Sequence, residues 1–200
     1  MDTQPQRKGE ATQARIVDAA YALFLRQGYH GTSMRQIADS AGITMGGIYN
    51  HFAGKEAIWE AVLNAKHPYH AILPLLHAAT GDSVEAYVHD AAAGLVAELG
   101  KRPELLHLMF IELVEFNGAH IPAIYATLVP RLSELSAVLQ QKAGRVRPIP
   151  LPILARSFAG LFFSYYITEI LMPPEVRTLM GDSALDSFID IYLHGILATA

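Results

Sequence analysis

Apolar residues recur at intervals of three and four along most of the chain. From Thr12 to Gln27 the positions Ile16, Ala20, Leu23 and Phe24 share one helical face. Gly28 predicts the end of that helix, because glycine takes the left-handed conformation that closes helices. Ser33-Met-Arg-Gln36 has the form of a capping box, in which Ser33 satisfies the amide of Gln36 and Gln36 reaches back. A short helix follows with Ile37, Ala38 and Ala41 inward. Ala41-Gly42-Ile43 interrupts it, and Thr44 caps another short helix with Ile48 and Phe52 inward. Phe24, Ile37, Ala38, Ala41, Ile48 and Phe52 make one small core.

The pattern continues past the Ala53-Gly54 turn. Lys55 and Glu56 open a helix with Ile58, Ala61, Val62 and Ala65 inward, ended near His67-Pro68. Asp82 or Ser83 caps a helix running to Glu98 and stopped by Gly100. Further helices are predicted over Pro103–Phe116, Ile121–Lys142, Pro152–Met172 and Ser183–Ala198, divided by Asn117-Gly118, Gly144, the prolines at 148, 150 and 152, and Pro173-Pro174. No alternating strand pattern with hairpin turns competes, so the fold class is all-α: three N-terminal helices with a helix-turn-helix, then a larger helical domain. The expected boundaries are a flexible arm over 1–11, a head over 12–54 and a body over 55–200.

Composition narrows the class. Of the 200 residues 52% are hydrophobic, enough for a substantial core, and none is cysteine, which excludes disulfides and thiolate chemistry and fits a reducing cytoplasm. The polar opening MDTQPQRKGEATQ is not a signal peptide. The greasiest stretch, from Leu154 to Pro174, is interrupted by Arg156 and Glu169, leaving too short an uncharged run to cross a bilayer, and reads as a buried helix. The net charge of −4 argues against nucleic acid, but residues 1–55 carry six basic and four acidic side chains, whereas the rest carries nine and fifteen. A mildly basic head on an acidic body is compatible with duplex DNA.

Gly46 and Gly47 stand inside the second short helix, where each glycine costs about 1 kcal/mol relative to alanine. A pair there points to close approach, either of the first helix or of a phosphate backbone, with a frayed loop as the alternative. Two short helices at this spacing suit a major groove, which accepts one helix held at its edge by another. The surface offered would be that of Thr44, Met45, Gly47, Tyr49 and Asn50.

The ordered set Gly28-Tyr29, Thr32-Ser33, Ile37-Ala38, Ala41-Gly42-Ile43, Gly46, Ile48-Tyr49, His51-Phe52 and Lys55-Glu56 resembles the N-terminal signature of the tetracycline-repressor (TetR) family, over about residues 12–60. The resemblance implies that Thr32 or Ser33 touches phosphate and that Tyr49, His51 and Lys55 fasten the recognition element to the backbone. It also implies that Thr44, Met45, Gly47 and Asn50 face base edges. Met45 and Gly47 depart from the polar or basic residues common in this pattern, which favours apolar contact with thymine methyl groups. Tyr49 and His51 could instead be scaffold, and Lys55 a solvated charge.

The Phe158–Leu171 segment is apolar nearly all round and must be covered on both sides. The resemblance implies a four-helix bundle between two copies, here over about Leu154–Leu171 and Asp182–Leu197, with Phe158, Leu161, Phe188, Tyr192 and Ile196 at the interface; an internal core is the alternative. It also implies an effector chamber among the middle helices, for which His107, Phe110, Phe116, Tyr125, Phe162, Tyr165 and Tyr166 are candidates and suggest a largely apolar or aromatic ligand. The expected partners are therefore double-stranded DNA, a second copy and a small-molecule effector. No membrane, cofactor or metal is expected. Nine scattered histidines form no ligand cluster, Pro68 interrupts His67 and His70, and there is no glycine-rich phosphate loop or nucleophile–base pairing, which argues against an enzyme.

Overall fold

The structure, a computed structural model, describes residues 4–127, 130, 146–181 and 183–197. Ten helices are defined among them: α1 (Gln4–Gln27), α2 (Met34–Ala41), α3 (Met45–Tyr49), α4 (Lys55–Lys66), α5 (Tyr69–Ala78), α6 (Val84–Gly100), α7 (Leu105–Phe116), α8 (Leu151–Leu171), α9 (Pro174–Met180) and α10 (Ala184–Ile196). Residues 121–127 are also helical. Most of the helix expected over Ile121–Lys142 lies outside the described residues. The chain divides into two compact units, one of Met1–His67 with Glu104–Ile124, the other of Pro68–Pro103 with Tyr125–Ala200.

In the first unit α1 packs on α2 and α4, and α2 on α3. The anticipated core is present: Ile16, Ala20, Leu23, Phe24, Ile37, Ala38, Ala41, Ile48 and Phe52 are all buried. α1 begins at Gln4, ahead of the apolar periodicity, so the polar lead is helical from there rather than a loose arm. The phase of α4 also differs from expectation. Its buried residues are Ile58, Trp59, Val62 and Leu63, whereas Ala61 is half-exposed and Ala65 exposed, because the inward face is turned toward the large side chains of Trp59 and Leu63.

The caps that separate α1, α2 and α3 are local and complete. Ser33 and Gln36 form both halves of the capping box, Ser33 N–H donating to Gln36 Oε1 at 2.8 Å. Gly42 closes α2 with φ +66°, a left-handed conformation that disfavours any side chain. Arg15 from α1 donates its guanidinium to the Ala41 carbonyl, satisfying an end group that the helix itself leaves open. Lys66 of α4 pairs with Asp18 of α1 at 2.6 Å.

In the second unit α6 packs on α5, α8 and α10, and α8 on α10. Two of its helices, α5 and α9, were not anticipated: Pro74 lies inside α5 and two prolines open α9, and both read as breaks in a sequence pattern. Gly94 admits α5 closely, since a Cβ there would lie 2.6 Å from Leu75 Cδ2. Tyr192 donates from α10 to the Leu154 carbonyl of α8 at 3.0 Å, and Phe158, Phe162 and Tyr192 pack as a ring cluster. Among the described residues no helix is long and apolar enough to cross a membrane.

Candidate nucleic-acid interface

The α2–α3 segment projects a small surface from a buried anchor. Ile48 is fully buried, whereas Thr44, Tyr49 and Asn50 are exposed and Met45, Gly47 and His51 half-exposed. Thr44 Oγ1 accepts the Gly47 N–H at 3.1 Å and so fixes where α3 starts. A Cβ on Gly47 would lie 3.2 Å from that hydroxyl, crowding the cap. Gly46 has no such internal reason: a Cβ there would meet nothing within 4 Å. The approach of the first helix therefore does not explain Gly46, beside which the space is open.

Two expected phosphate contacts are placed differently from the others. Thr32 is buried, and its hydroxyl donates to the Gly28 carbonyl at 2.8 Å, holding the turn between α1 and α2. Ser33, next to it, is exposed. Lys55 Nζ donates to the carbonyls of Tyr29 and Thr32, each at 2.7 Å, and lies 4.2 Å from the centre of the Tyr29 ring. Two of its three N–H bonds are thus spent inside the protein. Burial pulls the Lys55 pKa down, opposed by the nearby Glu115, and burial pushes the Tyr29 hydroxyl up, with Glu56 and Glu115 adding to it. Lys55 consequently fixes the turn on which Ser33 is carried.

Behind this turn lies an aromatic cluster that local sequence does not reveal. Trp59 meets Phe24 and Tyr29 edge-on, at 5.4 and 6.2 Å between ring centres, and stacks on Phe116 at 5.7 Å. Its Nε1–H donates to Glu112 Oε2 at 2.7 Å. Glu112 is fully buried yet well supplied: the backbone N–H of His120 donates to Oε1 at 2.8 Å, and His120 Nδ1 lies 3.0 Å from Oε2. His30 Nε2 and Glu115 Oε2 are 2.6 Å apart, a second link from the α1–α2 turn to α7. The signals available were the single tryptophan of the chain and one acid in the middle of the apolar run Leu105–Phe116.

Comparison with known proteins agrees with this geometry. Residues 16–62 match the family model described as bacterial regulatory proteins, tetR family, a segment that contains α2, α3 and the first two thirds of α4. Over this segment the chain is similar to the TetR family. A relative named as an uncharacterized HTH-type transcriptional regulator, YvkB of Bacillus subtilis, is 23% identical over 94% of this chain and 98% of its own length. The HTH-type transcriptional regulator SrpR of Pseudomonas putida is 44% identical, but over 30% of this chain and 29% of its own length. A TetR-family structure from Mesorhizobium loti covers 98% of this chain and 100% of its own at a TM-score of 0.70 and 22% identity, which speaks for the fold. TetR-family proteins are regulators rather than enzymes.

The remaining expected residues fall in different environments. Of the effector candidates, His107 and Phe110 are exposed on α7, and Phe116 belongs to the cluster around Trp59. Tyr125 is exposed; Phe162 and Tyr166 are buried on α8, Tyr166 donating to the Arg102 carbonyl at 3.3 Å; Tyr165 meets Phe188 at 5.1 Å. Of the dimer candidates, Tyr192 and Ile196 are buried within the second unit and Phe158 packs on Tyr192. Phe158 and Tyr192 join α8 to α10. The side that α8 and α10 leave exposed carries Ile153, Gly160, Ser164 and Ile191, with Leu161 and Phe188 half-exposed.

Proposed function

We propose that this chain is a ligand-responsive transcriptional repressor of the TetR family that binds a palindromic operator as a homodimer and is released by a small, largely apolar or aromatic effector. The observation that carries the reading is the contrast at α3: a fully buried Ile48 beside exposed Thr44, Tyr49 and Asn50, with an unfilled space at Gly46. A solvent-facing helix with no external partner gains stability from alanine, so glycine at that position suits a surface that must be approached closely.

In this reading Ser33, Tyr49 and His51 meet phosphate, Thr32 and Lys55 hold the turn that positions Ser33, and Thr44, Met45, Gly47 and Asn50 face base edges. Phosphate contacts set position and base contacts set preference. A second copy packs against the exposed side of α8 and α10, placing two heads on successive turns of one duplex face. The names of YvkB and SrpR as transcriptional regulators support the same direction.

The switch is a population shift. An effector held among aromatic side chains such as Phe162, Tyr165 and Tyr166 favours the form in which the heads are misplaced, and operator affinity falls by linkage. α4 is the lever, since it carries Lys55 at one end and follows the recognition helix directly. The test is operator binding at fixed salt across a panel of aromatic and apolar compounds. At least one compound lowers affinity by about tenfold if the coupling is of ordinary size. Indifference to the whole panel contradicts the switch, and binding of shuffled duplex as tightly as the operator favours a helical small-molecule-sensing or dimerisation module without specific DNA regulation.

A further inference from the structure

The side chains that α3 offers to a duplex are unusually poor in groups that read guanine or cytosine. From Thr44 to His51 the segment holds no lysine, arginine, aspartate or glutamate, and Gly46 and Gly47 contribute no side chain at all. Arg35, on α2, is the only lysine or arginine between Gly28 and Gly54. Lys55, just beyond, is committed to two backbone carbonyls.

Base pairs differ in the major groove by what they present. Guanine is read chiefly by the forked donors of arginine or by lysine, and the cytosine amino group by a carboxylate; adenine is read bidentately by asparagine or glutamine, and thymine by apolar contact with its C5-methyl group. On this segment Asn50 is exposed and Met45 is half-exposed at the first position of α3. The empty space at Gly46 lets that turn approach the bases, so that Met45 and the methyl of Thr44 come within reach.

We infer that α3 reads a core of A·T pairs in each half-site, with Met45 against a thymine methyl and Asn50 bidentate on an adenine. Any fixed guanine belongs to Arg35 and lies outside that core. This specificity rests on the reading of the protein as a DNA-binding regulator, and the test separates the two.

The full-length protein is used to select duplexes from a random pool, and the most enriched duplex becomes the probe. Each thymine in its core is then replaced singly by deoxyuridine, which removes the C5-methyl and nothing else. At one position or more the substitution weakens binding about fourfold, the equivalent of one buried methyl group, and Met45→Ala abolishes that sensitivity. Asn50→Ala relaxes the preference for one adenine by at least about fivefold. Because the uridine series uses the unaltered protein, a poorly folded variant does not obscure it. A G·C core that persists in Arg35→Ala, or an enriched duplex indifferent to uridine throughout, overturns the A·T reading while leaving DNA binding intact. No enrichment at all overturns both.

Discussion

Trp59 donates its indole N–H to Glu112 at 2.7 Å, and both side chains are wholly withdrawn from solvent. A buried carboxyl group is costly unless polar partners surround it, and here an indole N–H and a backbone N–H donate to it while an imidazole nitrogen lies 3.0 Å away. The bond ties the helix that follows the recognition element to α7 within one compact unit. Its removal leaves a buried group without its partner. Trp59→Phe and Glu112→Ala are each expected to destabilise the protein by about 1–3 kcal/mol, measured by urea unfolding followed by circular dichroism. A neutral effect of both would show that the link carries no weight.

Lys55 has two conceivable duties, and one pair of measurements separates them. If its ammonium holds the Tyr29 and Thr32 carbonyls, Lys55→Met lowers stability by about 1–3 kcal/mol and weakens specific and shuffled duplexes alike. Unchanged stability with weakened DNA binding would instead assign it directly to phosphate.

Gly46 offers the opposite signature. Gly46→Ala meets no atom within 4 Å and raises helix propensity, so stability is expected to hold or to rise by up to about 1 kcal/mol. Operator affinity, in contrast, falls by about tenfold, equivalent to 1.4 kcal/mol. Thermal melting and fluorescence anisotropy on the same sample check both halves. Retained affinity would remove the argument that this face lies against a duplex.

Asp90 gives a pH dependence with a definite sign. Its carboxylate accepts from the Thr80 backbone N–H at 2.6 Å and the Thr80 hydroxyl at 3.0 Å, and these bonds hold its pKa below the ordinary carboxylate range. The stabilisation is complete above the unfolded-state value and is lost as pH falls through the lowered one. The difference in urea midpoint between the native chain and Asp90→Asn should therefore shrink between about pH 5 and about pH 3. A difference that stays constant across that range would mean the carboxylate charge plays no part.

The helix-turn-helix was legible in the sequence because its determinants are local. Ser33 with Gln36, Gly42 at the end of α2, and Thr44 before α3 each act within four residues of the group they satisfy. The apolar periodicity also located α6, α8 and α10 to within a few residues. Glu112 was not legible, since its donors come from Trp59 and His120, and an acid in an apolar run ordinarily marks the solvent side of a helix. The spending of Lys55 on the turn was hidden for the same reason: its acceptors lie 26 and 23 residues away along the chain. Tyr192 and Ile196 carry the periodicity of a buried stripe, but periodicity does not say whether α8 of the same chain or of a second copy covers it.

Two copies of the Thr44–Asn50 surface are expected to act together on one palindromic duplex. Native mass spectrometry of the protein with a duplex selected from a random pool, competed by a shuffled duplex at the same salt, tests it most directly. The predicted result is two chains per selected duplex and loss of that complex when a substitution at Ile191, such as Ile191→Asp, separates the copies. One chain per duplex, or equal occupancy of the shuffled sequence, would contradict it.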